Sequence, residues 1–169
     1  MVEAPTCETA VVPPQKSGEI VLSRRFDELE AKMAIQPQVR LPLNHIFTPG
    51  LYIREVLLPK GTLLTSKIHM LKHPFVISLG RVKVWSGIDG EEAQELGAPY
   101  TGITKPGTRR IIYAYEDTIW TTFHVTNETD IAKIERDIIF RHDEHLPFSV
   151  TADGVAVEKL MAPEQHANA

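Results

Sequence analysis

An all-β domain, a sandwich or barrel of short antiparallel strands with a helix at either end, is the fold class predicted for this 169-residue sequence. Three observations carry the prediction. Between Leu41 and Val125, short runs rich in β-branched and aromatic residues succeed one another, among them LYIREVLLP, LLTSKIHML, FVISLG, RVKVW, RRIIYAY and TIWTTFHV. Turn signals separate them at Pro59-Lys60-Gly61, Gly80, Ser86-Gly87, Asp89-Gly90, Pro106-Gly107 and Glu116-Asp117. Helical periodicity occurs only outside this body, which rules out alternating βαβ units.

The elements follow in order. Residues 1–19, with paired prolines and few large apolar side chains, read as a flexible arm that orders on a partner. Residues 20–40 hold a helix and a linker: Ser23 is a capping residue, Phe26, Leu29 and Met33 form one apolar stripe, and Pro37 stops the helix. Residues 41–126 are the β body. Residues 127–145 are a second helix, capped by Thr126 or Asn127, with Ile131, Ile134 and Ile138 as its stripe. Residues 146–169 are a polar tail.

Composition narrows the function. Eighteen Lys+Arg against 22 Asp+Glu give a net charge of −4, which argues against a nucleic-acid partner. No apolar run is long enough to span a membrane, and no secretory signal opens the chain. A single cysteine, Cys7, excludes an internal disulfide and a cysteine-based zinc site. A cytoplasmic protein is expected, with a virion-associated one as the alternative.

The chemistry concentrates between Gly61 and Gly80. Read as a strand, GTLLTSKIHMLKH turns Lys67 and His69 to one side, and His73 rejoins that side if Lys72-His73-Pro74 forms a corner. These residues resemble the first motif of the cupin superfamily: a glycine, five residues, His-x-His, three residues, Glu, six residues and a glycine. Gly61, Lys67, His69, His73 and Gly80 stand in its slots, with lysine replacing the first histidine and histidine replacing the glutamate. In the second motif, Pro106-Gly107 supplies the turn, while Arg110 holds the histidine slot and Ala114 the asparagine slot. The spacer contains the expected hairpin, SGIDGEE. The resemblance covers Leu51 to His124 and is similar to the small single-domain cupins often encoded by tailed phages and prophages. It implies an antiparallel jelly-roll β-barrel with a metal held inside by histidines and a carboxylate.

Transferred slot by slot, the resemblance retains His69 as a metal ligand, with His73 as a substitute and His124 as a third if Trp120, Thr122 and His124 face inward. The metal would be a divalent transition ion (zinc, nickel, copper or iron), and three imidazoles suit the first three better than iron or manganese. Lys67 and Arg110 would share the same lumen and repel a dication. They equally suit a small anionic ligand, with Arg110 gripping a carboxylate or phosphate and Lys67 adding a point charge. His69 and His73 also read as wall histidines satisfied by carbonyls, and His124 as a structural strand residue. Of the other polar residues, His45 reads as stabilising a loop before the first strand, and one of Arg109 and Arg110 as a surface arginine. Trp85 and Trp120 read as packing residues.

Three function classes follow. One is a non-catalytic barrel binding a metal ion, a small anion or both; another is an assembly protein of a phage particle, with phage structural proteins as partners. The third is a metal-dependent dioxygenase, isomerase or lyase, against which the substituted ligand slots weigh. The apolar helix stripes and an uncovered sheet edge predict a homo-oligomer, a dimer or higher. Light scattering at micromolar concentration is expected to show more than the monomer mass, and a monomer alone would contradict the expectation.

Overall fold

The computed structural model describes residues 24–86, 92–140 and 149–151. The expected arm 1–19, the hairpin tip 87–91, the end of the expected second helix at 141–145 and most of the tail lie outside them. Helix α1 (Arg24–Ala34) leads into strands β1 (Leu43–Thr48), β2 (Leu51–Leu58), β3 (Thr62–Thr65), β4 (His73–Leu79) and β5 (Arg81–Ser86). Strands β6 (Glu92–Gly97), β7 (Tyr100–Thr104), β8 (Ile111–Ala114) and β9 (Thr118–Val125) follow, then helix α2 (Ile131–Ile138) and the short β10 (Ser149–Thr151).

The strands form two five-stranded sheets, ordered β1-β2-β9-β4-β7 and β10-β3-β8-β5-β6. Every ladder is antiparallel, and β2 with β9, β3 with β8, β4 with β7 and β5 with β6 are nested pairs. A long two-stranded ribbon folded over on itself gives this order, which is that of a double-sheet jelly roll. Among the described residues no ladder joins the two sheets, so they form a sandwich and not a hydrogen-bonded closed ring. No helix among them is long and apolar enough to cross a membrane.

Alternation along the strands decides which side chains meet. Leu58, Phe75, Ile77 and Trp120 from one sheet pack against Val82, Val84, Leu96 and Ile112 from the other, forming the central core. The next residues in register, Leu63, Trp85 and Ile111, face the opposite way and receive Phe26, Leu29 and Met33 of α1. The stripe read from the sequence is therefore the face that α1 buries. Gly80 joins β4 to β5 at φ +83°, where a Cβ would collide with the Asp117 carbonyl and the Thr118 backbone.

Several local expectations are corrected. The strand expected to carry Lys67 and His69 ends at Thr65. Beyond it the backbone finds other partners: Ser66 N donates to Arg110 O, Met70 N to Ile138 O and Phe140 N to Ile68 O. The α2 cap is Asp130, not Thr126 or Asn127, because its carboxylate accepts from the Ala132 and Lys133 amides. Asn127 instead accepts from Gly50 N. His45 lies within β1, not in a preceding loop.

Neither arginine of the Arg109-Arg110 pair is a simple surface residue. Arg109 is 7% exposed and bridges Asp27 at 2.8 Å and Glu30 at 2.6 Å, fastening α1 to the sheet. Glu30 is equally buried, so removing the guanidinium beside it strands a charge in a low-dielectric site. Arg109→Ala is expected to cost about 3–5 kcal/mol in urea unfolding, and Arg109→Met with Glu30→Leu to recover most of it. An unchanged urea midpoint for the single variant would refute this role.

Candidate metal and anion site

Three segments meet at one end of the sandwich. His73 opens β4 opposite Thr104 of β7, and His124 lies near the end of β9 opposite Tyr52 of β2. His69 sits on the connection between β3 and β4, where three contacts fix it. Its carbonyl accepts from Gly107 N at 2.9 Å, it forms a bridge with Ile139 just past α2, and Met70 N binds Ile138 O. The two cupin-like segments, 61–80 and 106–114, are thus tied together by backbone hydrogen bonds at the site.

The rings of His69, His73 and His124 converge. Ring centroids are 4.3 Å apart for His69–His73, 4.5 Å for His73–His124 and 5.3 Å for His69–His124. One ligating atom from each lies within 4.8 Å of the others. Nitrogens around a tetrahedral zinc, with bonds of ~2.0–2.1 Å, are ~3.3 Å apart, a distance small ring rotations can reach. Tyr52, Ile134 and Ile138 pack into one apolar cluster, and the Tyr52 ring also stacks on His124.

The donor chemistry fits a metal. The His73 Nδ1–H donates to Leu71 O at 3.1 Å, leaving Nε2 with a free lone pair. Thr122 Oγ1 gives its proton to Arg54 O, so His124 Nε2–H donates to that hydroxyl and Nδ1 keeps its lone pair. His69 Nδ1 is buried with no hydrogen-bond partner among the described residues, and a bound cation would satisfy it. Burial, then the neighbouring His73 and His124, then Arg54 and Arg110 push His69 down to about 2. Burial, then His73, then Arg54 push His124 down to about 4. Burial also lowers His73, with Arg110 adding to it and the Leu71 hydrogen bond opposing it. All three rings are neutral at physiological pH, as metal ligands must be.

A cavity of about 250 Å³ opens beside them, with Val56, Leu58, Leu64, Ile112 and Trp120 as apolar wall. Lys67 and Arg110 both line it, as do Trp120 and Thr122, while His124 joins the ring cluster. The charge of Lys67 is already met: Nζ lies 2.7 Å from Glu135 Oε1 on α2. The Arg110 guanidinium donates to Thr104 Oγ1 at 3.0 Å and lies 5.4 Å from the Phe75 ring centroid. Sequence reasoning missed Arg54, Thr104 and Glu135. Arg54 had a signal: in LYIREVLLP it shares a face with Tyr52, Val56 and Leu58, a cation on an otherwise inward side.

Acid should weaken the fold through these rings. The unfolded chain protonates its imidazoles near 6.5, the folded chain only near about 4 for His124 and about 2 for His69. Between those values the unfolded state binds more protons, so stability is full above 6.5 and falls as pH drops through the window. The melting temperature of chelator-treated protein is expected to fall from about pH 7 to about pH 5, and less steeply for His124→Gln. Equal slopes for parent and variant would contradict the neutral His124.

No protein-family model and no curated protein sequence matches the chain. Solved structures do. Ectoine synthase from P. lautus is 12% identical, covers 72% of this chain and 86% of its own, and has a TM-score of 0.48. KdgF from Halomonas sp. is 16% identical, with 57% and 86% covered and a TM-score of 0.44. A cupin-2 domain containing protein from Shewanella frigidimarina is 10% identical, with 63% and 96% covered and a TM-score of 0.41. Its nested strand order, two sheets and a helix at each end give the double-sheet jelly-roll architecture that the cupin resemblance implies.

Proposed function

We propose that the chain binds a divalent transition metal through His69, His73 and His124 and receives a small organic anion beside it at Arg110. One observation carries this reading: three neutral imidazoles from separate segments bring their donor atoms within 4.8 Å of one another. Nitrogen-only donors favour zinc, copper or nickel. Three protein ligands leave a coordination position open to a ligand, and a bound ion would polarise a ligand oxygen there. The repulsion expected from Lys67 is reduced by its pairing with Glu135.

A binding role is favoured over acid–base catalysis by the cavity wall. Among the described residues lining it, the groups able to move a proton are His69, His73 and Lys67. The two histidines are assigned to the metal in this reading, Lys67 is held by Glu135, and no carboxylate or tyrosine adds to them. Tyr52 is buried, with its hydroxyl 2.7 Å from His45 Nδ1. The wall residues instead exclude water and orient a ligand toward Arg110 and the histidines.

Metal analysis of protein purified without a histidine tag is expected to give one equivalent of zinc, nickel or copper. His69→Ala and His124→Ala are each expected to reduce occupancy to background while the circular dichroism of the β-sandwich is retained. Parent protein that takes up no metal on titration, or alanine variants that hold it as well as the parent, would overturn the metal reading.

A further inference from the structure

We infer that the cavity is built for a small organic dianion, a short dicarboxylate, with Arg54 and Arg110 as its two anchors. The inference deepens the anion-binding half of the proposed function and does not require the metal. Its basis is an unbalanced charge count. The described residues lining the cavity include Arg54, Lys67 and Arg110 and no carboxylate. Lys67 is neutralised by Glu135 at 2.7 Å, which leaves two guanidinium groups.

Neither guanidinium meets a negative charge among the described residues. Arg110 has the Thr104 hydroxyl and the Phe75 ring, both uncharged. Arg54 Nε is buried with no hydrogen-bond partner among the described residues. Leaving such donors desolvated is costly, and an ionised ligand oxygen is the partner that relieves it. Both cations also lie close enough to the histidine cluster to act on it electrostatically, Arg54 on His69 and His124, Arg110 on His69 and His73.

The two anchors come from different sheets. Arg54 stands on β2, paired with Thr122 of β9, while Arg110 immediately precedes β8. A ligand that satisfies both therefore bridges the sandwich. Each guanidinium fork matches one carboxylate through two parallel hydrogen bonds. Between them the wall of Val56, Leu58, Leu64, Ile112 and Trp120 suits a short methylene chain. At about 250 Å³ the cavity falls below the ~300–1,000 Å³ of drug-sized pockets, which limits the ligand to a few carbons.

Calorimetric titration of the chelator-treated full chain with glutarate and with butyrate tests the inference. Glutarate is expected to bind about tenfold or more tightly than butyrate, the second carboxylate making the difference. Arg54→Gln is expected to erase that preference, and Arg54→Lys to retain only part of it because a point charge cannot reproduce the fork. Equal affinity for the two acids, an undiminished preference in Arg54→Gln, or no glutarate binding with and without added zinc would each overturn it. Should Arg54→Gln fail to fold by thermal melting, the parent preference and Arg54→Lys decide. Zinc uptake by the parent and by His69→Ala is measured in parallel. Glutarate binding without zinc uptake would sink the metal reading alone, and zinc uptake without glutarate preference would sink this one alone.

Discussion

The ladder between β2 and β9 is the constraint from which the site follows. It runs without a bulge from Leu51 opposite Val125 to Leu58 opposite Thr118. Tyr52 with His124, Arg54 with Thr122 and Val56 with Trp120 are successive pairs on one face of this ladder. A slip of one residue would turn a metal-type ligand, a cation and the cavity wall to the other face together. Apolar burial of Leu58 and Trp120 in the central core holds the register, so the packing that stabilises the sandwich also aims the polar groups.

The opposite side of the site has no ladder to hold it. His69 lies on a connection held by individual backbone bonds to Gly107, Ile138 and Ile68's partner Phe140, so it depends on α2 being docked. Docking of α2 rests on Ile134 and Ile138 against Tyr52 and on the Lys67–Glu135 ion pair. The helix therefore contributes to the site indirectly: it positions His69 and removes one positive charge from the cavity. Helix α1 does neither. It covers the outer face of the second sheet and is secured by Arg109, the neighbour of the arginine that lines the cavity. Alternation at positions 109 and 110 thus separates an arginine that fastens α1 from one that lines the cavity.

Charge and burial act together on the histidines. Desolvation and nearby guanidinium groups both disfavour the imidazolium form, so the cations that would weaken a dication also keep its ligands deprotonated. An anion beside the metal would reconcile the two, because it would screen the guanidinium groups from the ion. Metal and anion would then be compatible occupants of one cavity and not rival uses of it.

Much of the fold was legible in the sequence because it rests on short-range rules. Alternating runs placed β2, β4, β5 and β9, the glycines at 61, 80 and 107 marked turns with positive φ, and the stripe of Phe26, Leu29 and Met33 is the face that α1 buries. His69 and His73 were legible as candidates through the cupin resemblance, and His124 on the condition that its face of β9 turns inward. What their spacing could not give is how the backbone at Ile68–Met70 finds its partners, because those are Gly107 in a later turn and Ile138 and Phe140 at and just past the end of α2. Nor could it show that Lys67 meets Glu135 while Arg54 meets no carboxylate among the described residues. Strand period and turn chemistry are local, so the sequence by itself determined where most strands and turns fall and which residues share a face along them. Convergence of rings and balance of charge depend on which distant segments fold against one another, and only the tertiary structure decided them.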